Sequence, residues 1–332
     1  MARPTMEDVA ARAGVSRALV SLVMRDSPKV SRERREAVLR AAEELGYSPH
    51  AVARSLASRT STLLGVMVSD LHNPFFAEIV DGLDAVARSE GFELIINTGG
   101  RSVARERGAV QSLLSFRPAG LVLLGAAVPA SDIAAAADKA PVVLVARDSR
   151  LSTVDTVNDD GKAGAEVVVD HLVALGHTRI VHLDGGRGSQ AAVRKRGYVG
   201  AMRKHGLEPA VLSSEYTDSA GAKAAGQLLE RFDPLPTAIV AANDFNAVGA
   251  ISALDEAGLR VPQDVSVVGY DNTSLAALAR IGLTTIDQPR REMGRLAAEA
   301  LLQRIRDGRV EPVRHLLQPK LVVRGTTGVP RS

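Results

Sequence analysis

Residues 5–24 read TMEDVAARAGVSRALVSLVM, and the fold of the N-terminal part turns on this stretch. Thr5 stands where it caps a helix running to Ala13, with Asp8 three residues on in a capping-box pattern. Gly14 allows a tight turn, and Ser16 is placed to cap a second helix from Arg17 to Met24. A helix-turn-helix needs a small residue where its helices cross, a turn glycine and an apolar anchor on the second helix. Ala10, Gly14 and Val20 hold those places, although an ordinary helical hairpin fits the same spacings. Arg17, Ala18, Ser21 and Leu22 are expected away from the packing side marked by Val20 and Val23, towards base edges in a major groove.

Outward from there, Pro28 breaks the chain and Ser31 caps a third helix with the apolar face Val38, Ala41, Ala42 and Leu45, ended by Gly46. Pro49 precedes HAVARSLASRTS, residues 50–61, where Val52 and Leu56 lie one helical turn apart in a segment too short to be stable alone. Residues 1–60 carry 11 Lys and Arg against 7 Asp and Glu, whereas the rest carries 30 against 31. The positive excess therefore sits where a polyanion is expected to bind.

From Leu63 the rhythm changes. Apolar runs (LLGVMVS, FELIIN, GLVLL, PVVLVA) alternate with helical segments at 75–89 and 103–116, and a second set follows after Asp160: RIVHLDG, TAIVAAND, DVSVVGYD. Near-continuous Val/Ile/Leu strands alternating with helices predict parallel sheets covered on both faces, here in two α/β lobes. The expected organisation is a helix-turn-helix headpiece at 1–48, a hinge helix and linker at 49–61, and a two-lobed domain at 62–332. Within it, the first lobe takes about 62–160 plus 290–318 and the second about 161–288 plus 319–328.

The 332 residues are 45% hydrophobic and contain no cysteine, which excludes disulfides, thiolate nucleophiles and zinc-thiolate sites. The seven histidines form no HxxxH-type pair beside carboxylates, so no metal and no cofactor is expected. The opening MARPTMEDVA lacks the apolar core of a signal peptide and no run reaches transmembrane length, so the expected location is cytoplasmic.

Several motifs together resemble the lactose/galactose repressor (LacI/GalR) family of bacterial transcriptional regulators over essentially the whole chain. They are TMEDVAARAGVS followed by ALVS, KVSRERREAVLRAAEELGYSPHAVARSL, HLVALGHTRI, AANDFNAVGA, DVSVVGYD and LTTIDQPRREMG. The resemblance implies an all-α headpiece joined to a periplasmic-binding-protein-like α/β effector domain, and a dimer on a near-palindromic operator. It also implies that the segment after the third helix folds on the operator and wedges Leu56 into the minor groove, with Arg54 and Arg59 near the flanking phosphates; a flexible basic linker is the plainer alternative. The candidate DNA-facing set is then Thr5, Ser16, Arg17, Ala18, Ser21, Leu22, Ser31, Arg54 and Leu56. The family usually has a polar or basic residue in place of Leu22. Leucine can meet a thymine methyl but cannot pair with guanine, which leaves Arg17 as the main polar reader. No heptad helix follows LVVRGTTGVPRS, so a dimer is expected.

Ligands of two-lobed α/β domains bind at the carboxyl ends of the strands. Those ends bring Asp70, Asn73-Pro74-Phe75-Phe76, Arg147, Asp184, Asn243-Asp244 and Tyr270-Asp271 into view. The resemblance adds Arg194, Tyr216 and Gln288 and supports Asp271. Phe75, Phe76, Tyr216 and Phe245 offer apolar faces to a ring. Plainer readings stand beside these: Asn73-Pro74 as a helix start, Asn243-Asp244 as a cap, and Arg194 as part of a solvated RKR run. Ala146 replaces an aspartate common in the family, which removes one hydroxyl acceptor, and Arg147 favours an anionic or carbonyl-bearing effector. A sugar or sugar derivative is the leading expectation.

The rivals are a solute-binding protein, which needs an export signal and no headpiece, and an enzyme on the same fold. The chain has no GxxxxGK[ST] loop, no GxSxG elbow and no dinucleotide fingerprint; HLDGGRGS fits none of these and reads better as a cleft-lining loop.

Overall fold

Thr5 accepts the Asp8 amide at 3.3 Å while Asp8 accepts the Thr5 amide at 2.7 Å, so the capping box forms and starts helix α1, Met6–Ala13. Such a cap is worth about 1 kcal/mol. In this computed structural model, residues 4–24, 27–47 and 61–331 are described, in two units, Met1–Thr62 and Leu63–Ser332. In the first unit Gly14 ends α1 at φ 66°, and Ser16 Oγ accepts the Leu19 amide at 3.2 Å to start α2, Arg17–Met24. Ser31 occupies the cap position of α3, Arg32–Glu44, but its side chain makes no capping bond; the expected side-chain cap is replaced by backbone alone, Arg35 N to Ser31 O at 3.0 Å. Val9, Val20, Val23, Val30 and Val38 form the buried centre with Ala10, Ala41 and Ala42.

The second unit begins with β1, Leu63–Val68, every residue of which is buried. Helix α4, Pro74–Ser89, starts at Asn73, whose Oδ1 accepts the Phe75 amide at 3.0 Å. There follow β2 (Glu93–Thr98), α5 (Val103–Ser115), β3 (Gly120–Leu124), α6 (Ala130–Ala137), β4 (Val142–Val145) and β5 (Val154–Asp159). The chain then crosses to α7 (Gly161–Ala174), β6 (Ile180–Leu183), α8 (Ala191–Lys204), β7 (Ala210–Leu212), α9 (Asp218–Arg231), β8 (Ala238–Val240), α10 (Asp244–Glu256), β9 (Ser266–Asp271) and β10 (Thr284–Asp287). It returns through α11 (Arg290–Asp307) to β11 (Arg314–Leu317), and crosses once more to β12 (Lys320–Val322).

The first sheet has the order β11-β5-β4-β3-β1-β2 and is parallel throughout; the second, β12-β10-β9-β8-β6-β7, is parallel except for β12 against β10. The buried runs of the sequence form these strands because both sheet faces are covered. Val66, Val122 and Leu124 pack against Ile79 and Leu83 of α4 and Leu301 of α11, while Met67, Leu121 and Leu123 pack on the other side against Leu113 and Ile133. Each such side chain contributes about 1.5–3 kcal/mol of burial. Helices α4 and α11 approach backbone to backbone: a Cβ on Gly294 would lie 2.0 Å from Ile79 O, and one on Gly82 2.1 Å from Arg291 O.

The return strand is anchored by the fully buried Asp155, whose oxygens accept from Arg304 Nε and Nη2 at 2.8 Å each, from Arg309 Nη2 at 2.7 Å and from the Val313 amide at 2.8 Å. Burial raises the Asp155 pKa, but these hydrogen bonds outweigh it and hold the carboxyl below its ordinary range. No helix among the described residues is long and apolar enough to cross a membrane.

Candidate functional site

Two sites arise, one in each unit. In the first, Thr5, Ser16, Arg17, Ala18 and Ser31 are exposed and Ser21 is half-buried. Arg17 Nε lies 2.9 Å from a Glu7 carboxylate oxygen with both side chains largely in solvent. Such a pair is worth at most about 1 kcal/mol, so Arg17 is readily released to another acceptor. Leu22 departs from the expectation. It is half-buried and packs on the apolar centre, because Leu19, three residues earlier on the same side of α2, widens the apolar face beyond Val23. Arg54 and Leu56, like Val52 and Arg59, lie outside the described residues.

In the second unit, a cavity of about 670 Å³ lies between the carboxyl ends of the two sheets. The first lobe lines it with Asp70, Phe75 and Phe76, and the second with Arg194, Tyr216, Asn243 and Asp271. Phe75 also belongs to the core and meets Phe76 edge to face at 5.1 Å, so both readings of the Asn73-Pro74 start hold together. Asn243 likewise caps α10, accepting the Asn246 amide at 2.9 Å, while it lines the cavity. Asp244 is buried under Thr273 and Thr285, whose hydroxyls donate to it at 2.9 and 2.6 Å; burial pushes its pKa up to about 6. Asp184 accepts the Gly186 and Ser214 amides at 3.0 and 3.2 Å and so braces the glycine loop.

The RKR run divides. Lys195 and Arg196 are solvated, but Arg194 is only 6% exposed, because it continues the inward row of Ala191, Tyr198 and Ala201. Its guanidinium stacks 3.6 Å from the Tyr270 ring centroid, donates to Ala242 O at 2.9 Å and comes within 3.8 Å of Asp271. Burial opposes its charge, yet Tyr216 and Tyr270 together with Asp159 and Asp271 outweigh that and hold its pKa above the ordinary value. Burial also dominates at Asp271, lifting its pKa to about 8 despite Arg194. Tyr216 donates to Ser189 O at 2.9 Å across the glycine loop. A Cβ on Gly185 or Gly188 would lie 2.5 or 2.2 Å from the Tyr216 ring, so these glycines exist to seat it.

Three expected residues stand elsewhere. Gln288 does not line the cavity; it is fully buried behind Asp271, donating to its Oδ1 at 2.6 Å. Phe245 is half-buried and outside the lining. Arg147 lines an adjoining recess of about 260 Å³. Arg101 and Glu215 were not anticipated. Arg101 follows β2, reaches Asp70 at 3.4 Å and spans the cleft to Glu215 at 3.5 Å. The strand-end rule applied to FELIIN would have found it. Ala146, in place of the usual aspartate, is buried in a left-handed conformation at φ 55°.

The arrangement suits a small polar molecule held by charged groups from both walls with aromatic faces between them. Comparison with known proteins agrees in both units. Residues 5–50 match the family model described as bacterial regulatory proteins, lacI family, and residues 169–327 match the periplasmic binding protein-like domain. The chain is 34% identical over 327 residues to the HTH-type transcriptional repressor PurR of Photobacterium profundum, covering 96% of this chain and 97% of that one. It is 34% identical over 328 residues to the HTH-type transcriptional repressor CytR of Escherichia coli, covering 97% and 96%. Among solved structures, the lac repressor dimer bound to operator and the anti-inducer ONPF superposes with a TM-score of 0.83 at 33% identity, covering 98% of this chain and 100% of that one.

Proposed function

The chain belongs to the lacI family of bacterial regulatory proteins, and from that premise we propose how it works. It is a sequence-specific DNA-binding transcriptional regulator, a dimer whose operator affinity is controlled by a small-molecule effector. The observation that carries the effector's place is the cavity of about 670 Å³ whose charged groups come from both lobes. An effector that touches Asp70 or Arg101 on one wall and Arg194 or Asp271 on the other favours one arrangement of the lobes, and so couples to DNA affinity through differential binding of two states. On this reading residues 1–48 bind the major groove, 49–61 form the hinge and 62–332 sense. Arg17 reads a base edge and Leu56 wedges the minor groove. The protein acts as a repressor in the cytoplasm, carries out no catalysis and needs no cofactor, and a sugar or sugar derivative is its effector.

The test is fluorescence anisotropy of the full protein and Leu56→Ala on a palindromic site selected from random DNA, beside an unselected duplex, at several salt concentrations. The wild type should prefer the selected site by at least about 10³, and the variant should lose most of that preference. Equal binding of both duplexes by the wild type would sink the regulator reading. Full preference in Leu56→Ala would sink the wedge alone.

A further inference from the structure

Beside the main cavity, and sharing Arg187, Ser189 and Gln190 with it, lies the recess that Arg147 lines. Arg147 is fixed in place. Glu106, fully buried, accepts the Ser69 hydroxyl at 2.9 Å and the Ala127 and Val128 amides at 2.6 and 3.1 Å, which sets the loop whose Ala126 carbonyl takes Arg147 Nη1. Among the described residues no carboxylate pairs with Arg147 or with Arg187. The one acidic side chain in the recess, Asp148, is exposed and accepts the Asn158 amide at 2.8 Å.

The amino end of α8 borders the same recess. Its cap residue Gln190 is left-handed at φ 65°, makes no capping bond and instead reaches across the lobes to Asn158 at 3.1 Å. In the first turn of that helix, Arg194 keeps a fully buried Nε with no partner while it lines the adjoining cavity. The Arg147 and Arg187 guanidiniums and the positive end of a helix dipole border a space large enough for a tetrahedral anion. The carboxylate that lines it is already engaged, and the buried Glu106 offsets part of the Arg147 charge from behind. Burial lowers the Arg147 pKa by more than the nearby Glu106 charge raises it, and a bound anion would offset the cost that remains.

We propose that this recess is an anion subsite and that the effector carries a phosphate monoester, its ring lying in the main cavity and its phosphate between Arg147 and Arg187. This rests on the effector-controlled reading above and names the chemical class of its ligand.

The test titrates full-length wild type, Arg187→Ser and Arg147→Gln with inorganic phosphate, and then with glucose against glucose 6-phosphate and adenosine against adenosine 5′-monophosphate. Calorimetry at constant ionic strength is the readout. Wild type should bind phosphate saturably, and the phosphorylated member of at least one pair should bind ten-fold or more tighter than its neutral partner. Either substitution should cut that ratio to a few-fold, and Arg187→Lys should restore part of it. Arg187 is exposed on a loop, so its variant keeps the test open if Arg147→Gln misfolds. Saturable binding of inorganic phosphate with no phosphorylated compound preferred would assign the subsite to the free ion and overturn the monoester. Absence of saturable phosphate binding, or a preference that survives both substitutions, would overturn the subsite. Operator affinity of the wild type is measured on the same preparation, ligand-free and with each compound. Operator binding in either condition without phosphate binding fails the subsite alone, and no operator binding in any condition fails the regulator reading while the titration still decides the recess.

Discussion

Asp271 sits where three demands meet. It ends β9 at φ 117°, takes a hydrogen bond from Gln288 at 2.6 Å, and faces Arg194 at 3.8 Å with almost no contact with water. A carboxyl in that position keeps its proton to about pH 8, against about 3.9 in an unfolded chain. The sign of the linkage follows: between those values the folded state holds a proton that the unfolded state has released. The stability that Asp271 contributes is therefore full below about pH 4 and is lost as pH rises towards 8. Urea unfolding at pH 5.5, 7 and 8.5 should show the wild type losing stability relative to Asp271→Asn as pH rises. Parallel curves would mean that Arg194 keeps Asp271 ionised throughout. The residue type was legible from the strand-end rule and the family pattern. Its protonation was not, because that depends on burial and on Arg194, Asp244 and Arg290 arriving from other elements.

At the scale of elements, glycine separates two roles that sequence alone confuses. Gly294 in α11 and Gly200 in α8 are both helix-interior glycines, and each lowers helix propensity. A Cβ at Gly200 meets nothing within 4 Å, whereas one at Gly294 would lie 2.0 Å from Ile79 O of α4. Gly200→Ala should therefore stabilise the protein by about 0.5–1 kcal/mol through propensity alone. Gly294→Ala should destabilise it by about 1–3 kcal/mol, because the two helices must part. Denaturant unfolding of both variants checks the pair; a stabilising Gly294→Ala would show that α4 and α11 are free to shift. The caps illustrate the same division. Thr5 and Ser16 bond as the pattern predicts, since capping is settled within one turn of chain, while Ser31 occupies its cap position without the bond.

For the whole molecule, coupling between the two binding events has to be reciprocal. If an effector changes operator affinity by a given factor, operator must change effector affinity by the same factor, and for allosteric proteins that factor is about 5–150. Measuring effector binding by calorimetry with and without saturating operator, and operator binding by anisotropy with and without saturating effector, should return equal ratios. Unequal ratios would mean a further state or a second effector site.

The sequence by itself determined the class of fold: three short helices ahead of two sets of alternating strands and helices, with a helix-turn-helix spacing at 5–24 and family motifs along its length. Caps, turns and hydrophobic periodicity are local, so each can be read within a few residues. The tertiary structure decided what the side chains at the strand ends do. It turned Arg194 inward and left Lys195 and Arg196 in water, put Gln288 behind Asp271 and not in the cavity, brought Arg101 across to Glu215, and set Arg147 in its own recess. The partners that hold each of these come from neighbouring strands or, for Arg101, from the other lobe, and only the tertiary packing brings them within reach.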